Sequence, residues 1–147
     1  MSKLFVNKSI EINAPASKVW RALTDPAFTR EWVPEFGVKG TIDSDWTLGS
    51  AVIWKDLDGR TFVEGSLTGL QPHKFLRFTV FDIRSTERPS VSEEDGITYR
   101  LSEEHGKTKL SLSQGDFSVM AEGQKYHKMS AEVWDRILPK VKELAEK

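Results

Sequence analysis

The chain has 147 residues and a mass of 16.7 kDa, enough to bury a core as one domain, residues 1–147, without disulfide or metal staples. Its 21 basic and 22 acidic side chains are interspersed and leave a formal net charge of −1. No basic stripe is available to neutralise phosphates, so nucleic acid is not an expected partner. Cysteine is absent, which excludes disulfides and thiolate chemistry and fits a cytoplasmic setting.

The start, Met1-Ser2-Lys3-Leu4, runs straight into alternating residues, with no apolar signal segment. No apolar run reaches the roughly 18 residues that would predict membrane insertion. Leu4, Val6, Lys8, Ile10 and Ile12 alternate with Phe5, Asn7, Ser9 and Glu11, the period of a strand with one apolar face. Asn13-Ala14-Pro15 then predicts a helix start, with Asn13 as the capping side chain and Pro15 in the first turn. Val19, Trp20 and Leu23 supply its inward stripe. Thr24-Asp25-Pro26 opens a second helix carrying Phe28 and Trp32, and Pro34 stops it. Residues 15–33 are therefore expected to hold two short helices in tandem.

From residue 37 to 115 the period is two. Val38, Gly40 and Ile42 predict a strand, and Asp43-Ser44-Asp45 with Gly49 marks the turn after it. Val52 and Trp54 alternate with Ala51 and Ile53, and Asp58-Gly59 is a hairpin signal. Thr61–Leu70 and Lys74–Ile83 read as longer strands around Gln71-Pro72-His73. Aromatic residues on both faces of the second, Phe78 on one and Phe75 and Phe81 on the other, predict a central strand covered on both sides over part of its length. Residues 84–92 are polar, contain Pro89 and read as a loop. Ile97, Tyr99 and Leu101 pair naturally across Glu103–Gly106 with Thr108, Leu110 and Leu112. The expected order is one strand, two short helices, six strands in an antiparallel meander, and a long helix.

That helix is the most informative element. From about Val119 to Glu146, Met120, Gly123, His127, Ala131, Trp134, Leu138, Val141 and Ala145 recur at three- and four-residue intervals on one face. A helix of about 25 residues is about 37 Å long, so its apolar face must meet the sheet. Pro139 interrupts the pattern, but Val141 and Leu144 resume it, which predicts a bend and not an end. A long helix across a curved sheet makes an apolar cavity between them physically plausible.

Candidate site residues follow from that geometry. The sequence holds five Trp and eight Phe; any single indole is first of all core filler or a turn anchor, while several together can line an apolar pocket, for which Trp54 on the sheet and Trp134 on the helix are the better candidates. Trp46, beside a turn, is expected to act locally. Phe62, Phe78 and Tyr99 join the candidate wall, with Tyr99 or His127 orienting a ligand. His127 falls on the helix stripe, either as a satisfied rim histidine or as a polar anchor. Glu64 shares a strand face with Phe62 and is either solvated or a cavity carboxylate in need of a donor. No nucleophile stands with a base, no glycine-rich loop lies between strand and helix, and no histidine spacing suits zinc, so neither metal nor cofactor is expected and catalytic residues remain unassigned.

The ordered set Ile10-Glu11-Ile12-Asn13-Ala14-Pro15, Val19-Trp20, Leu23-Thr24-Asp25-Pro26, Trp32, Gly65, Leu70-Gln71-Pro72, Leu76, Gly106-Lys107-Thr108, Leu110, Trp134 and Ile137-Leu138 resembles the START-like superfamily, also called SRPBCC. Within it the chain is most similar to the group named for the activator of the 90-kDa heat-shock protein ATPase. The resemblance spans residues 3–146 and implies an α+β helix-grip fold: a curved antiparallel sheet, two short helices after the first strand, and a long C-terminal helix over an apolar cavity.

Three functions are compatible with it. The first is binding of a small hydrophobic, aromatic or lipid-like molecule. The second is a cyclase- or hydrolase-like enzyme using His127 or Glu64 as general base. The third is a protein-interaction role, including regulation of a chaperone ATPase, by a monomer or weak dimer.

Overall fold

The computed structural model describes residues 3–82 and 96–147. The polar stretch read as a loop, 84–92, and Ile83 lie outside them. Strand β1 (Val6–Ile12) leads into helices α1 (Ala16–Thr24) and α2 (Pro26–Trp32) and a 3-10 turn (Val33–Phe36). Then come β2 (Gly40–Ser44), β3 (Ala51–Asp56), β4 (Thr61–Gln71), β5 (Phe75–Phe78), β6 (Phe81–Asp82), β7 (Gly96–Glu104) and β8 (Lys107–Gly115). A second 3-10 turn (Phe117–Val119) precedes the long helix α3 (Gly123–Glu146). The sheet is antiparallel in the order β1-β8-β7-β5-β4-β3-β2, with β6 on β4, and it curls around α3 as an α+β helix-grip fold.

Local chemistry explains most of these elements and corrects some expectations. Helix α2 starts where predicted, and Asp25 caps it, accepting from the Ala27 N–H at 2.9 Å. Asn13 does not cap α1: Pro15 occupies that position, and the Ala16 N–H donates to the Glu103 carboxylate at 2.6 Å, so the cap comes from β7. Pro34 stops α2 but continues the chain as the 3-10 turn, which Gly37 closes at φ 97°. The predicted strand Lys74–Ile83 divides in two at Thr79-Val80: β5 stays between β4 and β7, while β6 returns to pair with Val63 and Glu64. This adds one strand to the expected count. Phe75, on the outer face of β5, is covered by arginines and not by another layer: the Arg77 and Arg100 guanidinium carbons lie 5.1 and 4.7 Å from its ring centre.

The long helix begins at Gly123, so Met120 precedes it. Gly123 is buried, and a Cβ there would collide with the Phe117 carbonyl, which explains the glycine at the helix start. Pro139 sits inside α3, which continues past it to Glu146, and is exposed to solvent. Trp134, Ile137, Leu138, Val141 and Ala145 turn inward from α3 onto β1, α1 and α2. They meet Val6, Ile12, Leu110 and Leu112 from the sheet in one core.

Candidate functional site

The inner face of the sheet, α3 and the first 3-10 turn enclose a connected path of aromatic rings. Phe62 touches Trp54 at 6.3 Å between ring centres; Trp54 meets Phe36 at 5.3 Å; Phe36 meets Trp134 at 5.6 Å. From Trp134 the path continues to Tyr99 at 6.1 Å, to Phe78 at 6.1 Å and to Trp46 at 6.3 Å, with Trp32 beside Trp134 at 6.1 Å. Most pairs are edge-to-face, the arrangement ring quadrupoles favour. Trp32, Trp134 and Tyr99 are fully buried, and Trp54 nearly so.

Among the described residues, every buried side-chain nitrogen or oxygen has a hydrogen-bond partner except two. The five buried threonines all have partners: Thr24 donates to the Trp20 carbonyl and Thr108 to the Ala14 carbonyl, while Thr29, Thr79 and Thr98 accept from Ile42, Ser66 and Arg77. Trp32 Nε1 donates to the Ala22 carbonyl at 2.9 Å, and Trp134 Nε1 to Gln114 Oε1 at 2.7 Å. Trp54 Nε1 and the Tyr99 hydroxyl are buried with no hydrogen-bond partner. Burial pushes the Tyr99 phenol above its ordinary range, so it stays protonated and remains a donor. Among the described residues, no Asp, Glu, Lys, Arg or His is buried.

Of the residues singled out in the sequence, Trp54, Phe62, Phe78, Tyr99 and Trp134 lie on this path. Glu64 and His127 do not. The expectation that Glu64 shares a face with Phe62 fails at a bulge: Trp54 opposes Val63 and Lys55 opposes Thr61, which leaves Phe62 without a partner across the pair. Phe62 turns towards Trp54, whereas Glu64, opposite Ile53, is exposed. His127 Nε2 lies 2.9 Å from the Phe5 carbonyl, which can only accept, so that nitrogen carries the proton. With its ring 5.9 Å from Phe117, it stitches the start of α3 to the residue before β1.

Sequence reasoning missed Phe36 and Trp32 as parts of the path and took Trp46 as a local turn residue. The signal for Phe36 was present: Pro34 followed by Phe36-Gly37 is a short turn that ends on a left-handed glycine and aims an aromatic ring back at the core. That turn is held to α3 by Glu35, which accepts from Arg136 Nε at 2.9 Å and Lys140 Nζ at 2.7 Å. These two hydrogen bonds, Lys140 foremost, hold the Glu35 carboxyl below its ordinary pKa.

A cleft of about 330 Å³ lies on the other face of β1, β8 and β7. Asn7, Ser9, Arg100, Lys109, Ser111 and Ser113 line it, so it is polar and cationic, unlike the ring-lined interior. No helix among the described residues is long and apolar enough to cross a membrane.

Residues 13–146 match the family described as activator of Hsp90 ATPase homolog 1-like protein. No curated protein matches the chain. Among solved structures, ChR145 from Cytophaga hutchinsonii is 26% identical with a TM-score of 0.70, over 99% of this chain and 97% of that one. The Aha1 dimer from Colwellia psychrerythraea is 18% identical with a TM-score of 0.71, over 97% and 96%. DynU16, from the dynemicin biosynthetic locus, is 16% identical with a TM-score of 0.71 over 99% of this chain, which spans only 48% of DynU16.

Proposed function

The chain belongs to the activator of Hsp90 ATPase homolog 1-like family, and from that premise and its aromatic interior we propose that it binds a small hydrophobic molecule between the sheet and α3. The observation that carries this reading is the pair of buried, partnerless donors, Trp54 Nε1 and the Tyr99 hydroxyl. Leaving a buried donor unpaired costs about 1–3 kcal/mol, and Thr24, Thr108, Trp32 and Trp134 each avoid that cost by donating to an oxygen acceptor. A bound molecule that supplies the missing acceptor recovers it.

The wall of the site would be Trp54, Phe62, Phe78, Tyr99 and Trp134, joined by Phe36 and Trp46. Phe36 is half-buried and edge-on to both Trp54 and Trp134, on a turn fixed from outside by Glu35. Swinging that turn outward about Gly37 would admit a flat apolar ligand, whose ring would replace the Phe36 contacts. Glu64 and His127 have no part in this reading, which is binding without an assigned reaction. Burial of about 300 Å² of apolar ligand surface would contribute roughly 7 kcal/mol before the costs of association, which limits affinity to about micromolar.

Native mass spectrometry of the protein purified from its own host, followed by organic extraction, tests the reading. A stoichiometric apolar molecule that is lost in Trp134→Ala supports it. An empty protein that also fails to bind any member of a hydrophobic library defeats it.

Protein contact is the second reading, favoured by Tyr126 and Met129. They stand three residues apart on α3 and are 39% and 50% exposed. A self-associating chain would show a concentration-dependent mass in light scattering that Met129→Glu abolishes.

A further inference from the structure

We infer that the interior site selects an uncharged apolar molecule bearing an oxygen acceptor, such as a ketone, ester or ether, over both a bare hydrocarbon and a carboxylate. The inference rests on the binding reading above and specifies its ligand.

The argument starts from donor chemistry. An indole N–H only donates, and a buried protonated phenol has its O–H to donate. Both partnerless atoms therefore ask for an acceptor. The shortage is local, because Trp32 and Trp134, in the same path of rings, have each been given an acceptor, one by the backbone of α1 and one by Gln114 on β8. The two open donors belong to β3 and β7, on either side of the Phe36 and Trp134 pair: Trp54 touches Phe36, and Tyr99 touches Trp134. A ligand ring seated where Phe36 now packs would bring its substituents towards the Trp54 edge of the site.

Charge decides the rest. No cation is buried among the described residues, so a carboxylate would meet only neutral donors while losing its hydration. Desolvating an ion costs more than two neutral hydrogen bonds return. A hydrocarbon avoids that cost but leaves both donors unpaired, as they are without a ligand. An uncharged oxygen acceptor alone gains from them.

Fluorene, fluorenone and fluorene carboxylate share one flat frame and differ only in this respect. Their dissociation constants, measured by tryptophan fluorescence at neutral pH, are expected to place fluorenone about tenfold tighter than fluorene, with the carboxylate weakest. Fluorenone should also shift one indole N–H resonance downfield in a ¹H–¹⁵N spectrum, the one missing from Trp54→Phe. Tyr99→Phe and Trp54→Phe should each narrow the gap between fluorenone and fluorene while fluorene still binds. Equal binding of fluorene and fluorenone by the native protein, or a preference that survives both substitutions, overturns this inference and leaves hydrophobic binding intact. Failure of all three to bind overturns this inference, and with failure of the whole hydrophobic library it overturns the binding reading too.

Discussion

One aromatic path handles its polar atoms in two ways, closed at Trp134 and Trp32 in its middle and open at Trp54 and Tyr99 on either side of it. Around Trp32, the indole N–H is tied to the Ala22 carbonyl, and Trp134 is tied to Gln114, so ring and polar atom are both committed to the fold. At Trp54 and Tyr99 the rings are buried equally well but their polar atoms are committed to nothing. Similar residues, burial and neighbours yield closed positions and open ones. Aromatic richness therefore does not distinguish core from site; the bookkeeping of donors does.

The largest effect should come from the closed positions. Trp134 contacts Trp32, Phe36 and Tyr99 at once, and Trp134→Ala should cost about 3–5 kcal/mol in urea unfolding. A loss below about 1 kcal/mol would mean that the interior collapses easily around the gap, and the ring path would lose its role as scaffold. A sharper comparison uses one conservative change at a position of each kind. Trp134→Phe orphans Gln114 Oε1, whereas Trp54→Phe deletes an N–H that nothing accepts. The ring volume lost is the same, so Trp134→Phe should be the more destabilising by about 1–2 kcal/mol. Equal costs would erase the distinction between the two.

Tyr99→Phe tests an open position alone. With no bond to lose, it should leave the ligand-free protein as stable as before or raise its stability by up to about 1 kcal/mol. The same hydroxyl predicts behaviour in base. Its folded pKa is raised, by burial, above the ordinary value of 10.0, so the native state disfavours the phenolate. Its contribution to stability is complete below that ordinary value and falls as pH rises above it. Alkaline unfolding should thus begin at higher pH in Tyr99→Phe, and in the native protein the Tyr99 phenolate should form only together with unfolding, as followed by near-ultraviolet absorbance. Ionisation of both tyrosines before any loss of structure would show that solvent already reaches the hydroxyl.

Much of this was readable from residue spacing. The tandem helices came from Thr24-Asp25-Pro26 and Pro34, and the pairing of β7 with β8 across Glu103–Gly106 came from alternation, while the register that sets Tyr99 opposite Leu112 did not. The helices and the pairing are local or period-based features. What escaped depended on partners distant in sequence: the cap of α1 comes from Glu103 on β7, and the break at Thr79-Val80 follows the return of β6 to β4. Five candidate wall residues fell on the ring path because large inward aromatics on a sheet and its covering helix have few other places to go. Phe62 and Glu64 were separated by a bulge at Phe62, which shifts the strand alternation by one residue and leaves no signal in period-two counting. The open donors were unreadable in principle, since an unpaired N–H is defined by what three-dimensional packing fails to bring to it.

The smallest expected effect concerns the door between Trp134 and Trp54. Phe36 touches Trp134 on the closed side and Trp54 on the open side, and its turn is held by Glu35 with Lys140 and Arg136 at the surface. Hydrogen bonds from Lys140 and Arg136 hold the Glu35 carboxyl below 4.5. Its contribution is therefore present above that value and lost as pH falls through the lower folded pKa. Glu35→Gln should leave neutral-pH stability nearly unchanged, because exposed ion pairs contribute little, and should flatten the acid limb of the stability profile. If the turn is the door, the same substitution should speed both association and dissociation of a bound ring in stopped-flow fluorescence, with little change in their ratio. Unchanged rates would place the route to Trp54 and Tyr99 elsewhere, and the contrast between open and closed positions would then owe nothing to Phe36.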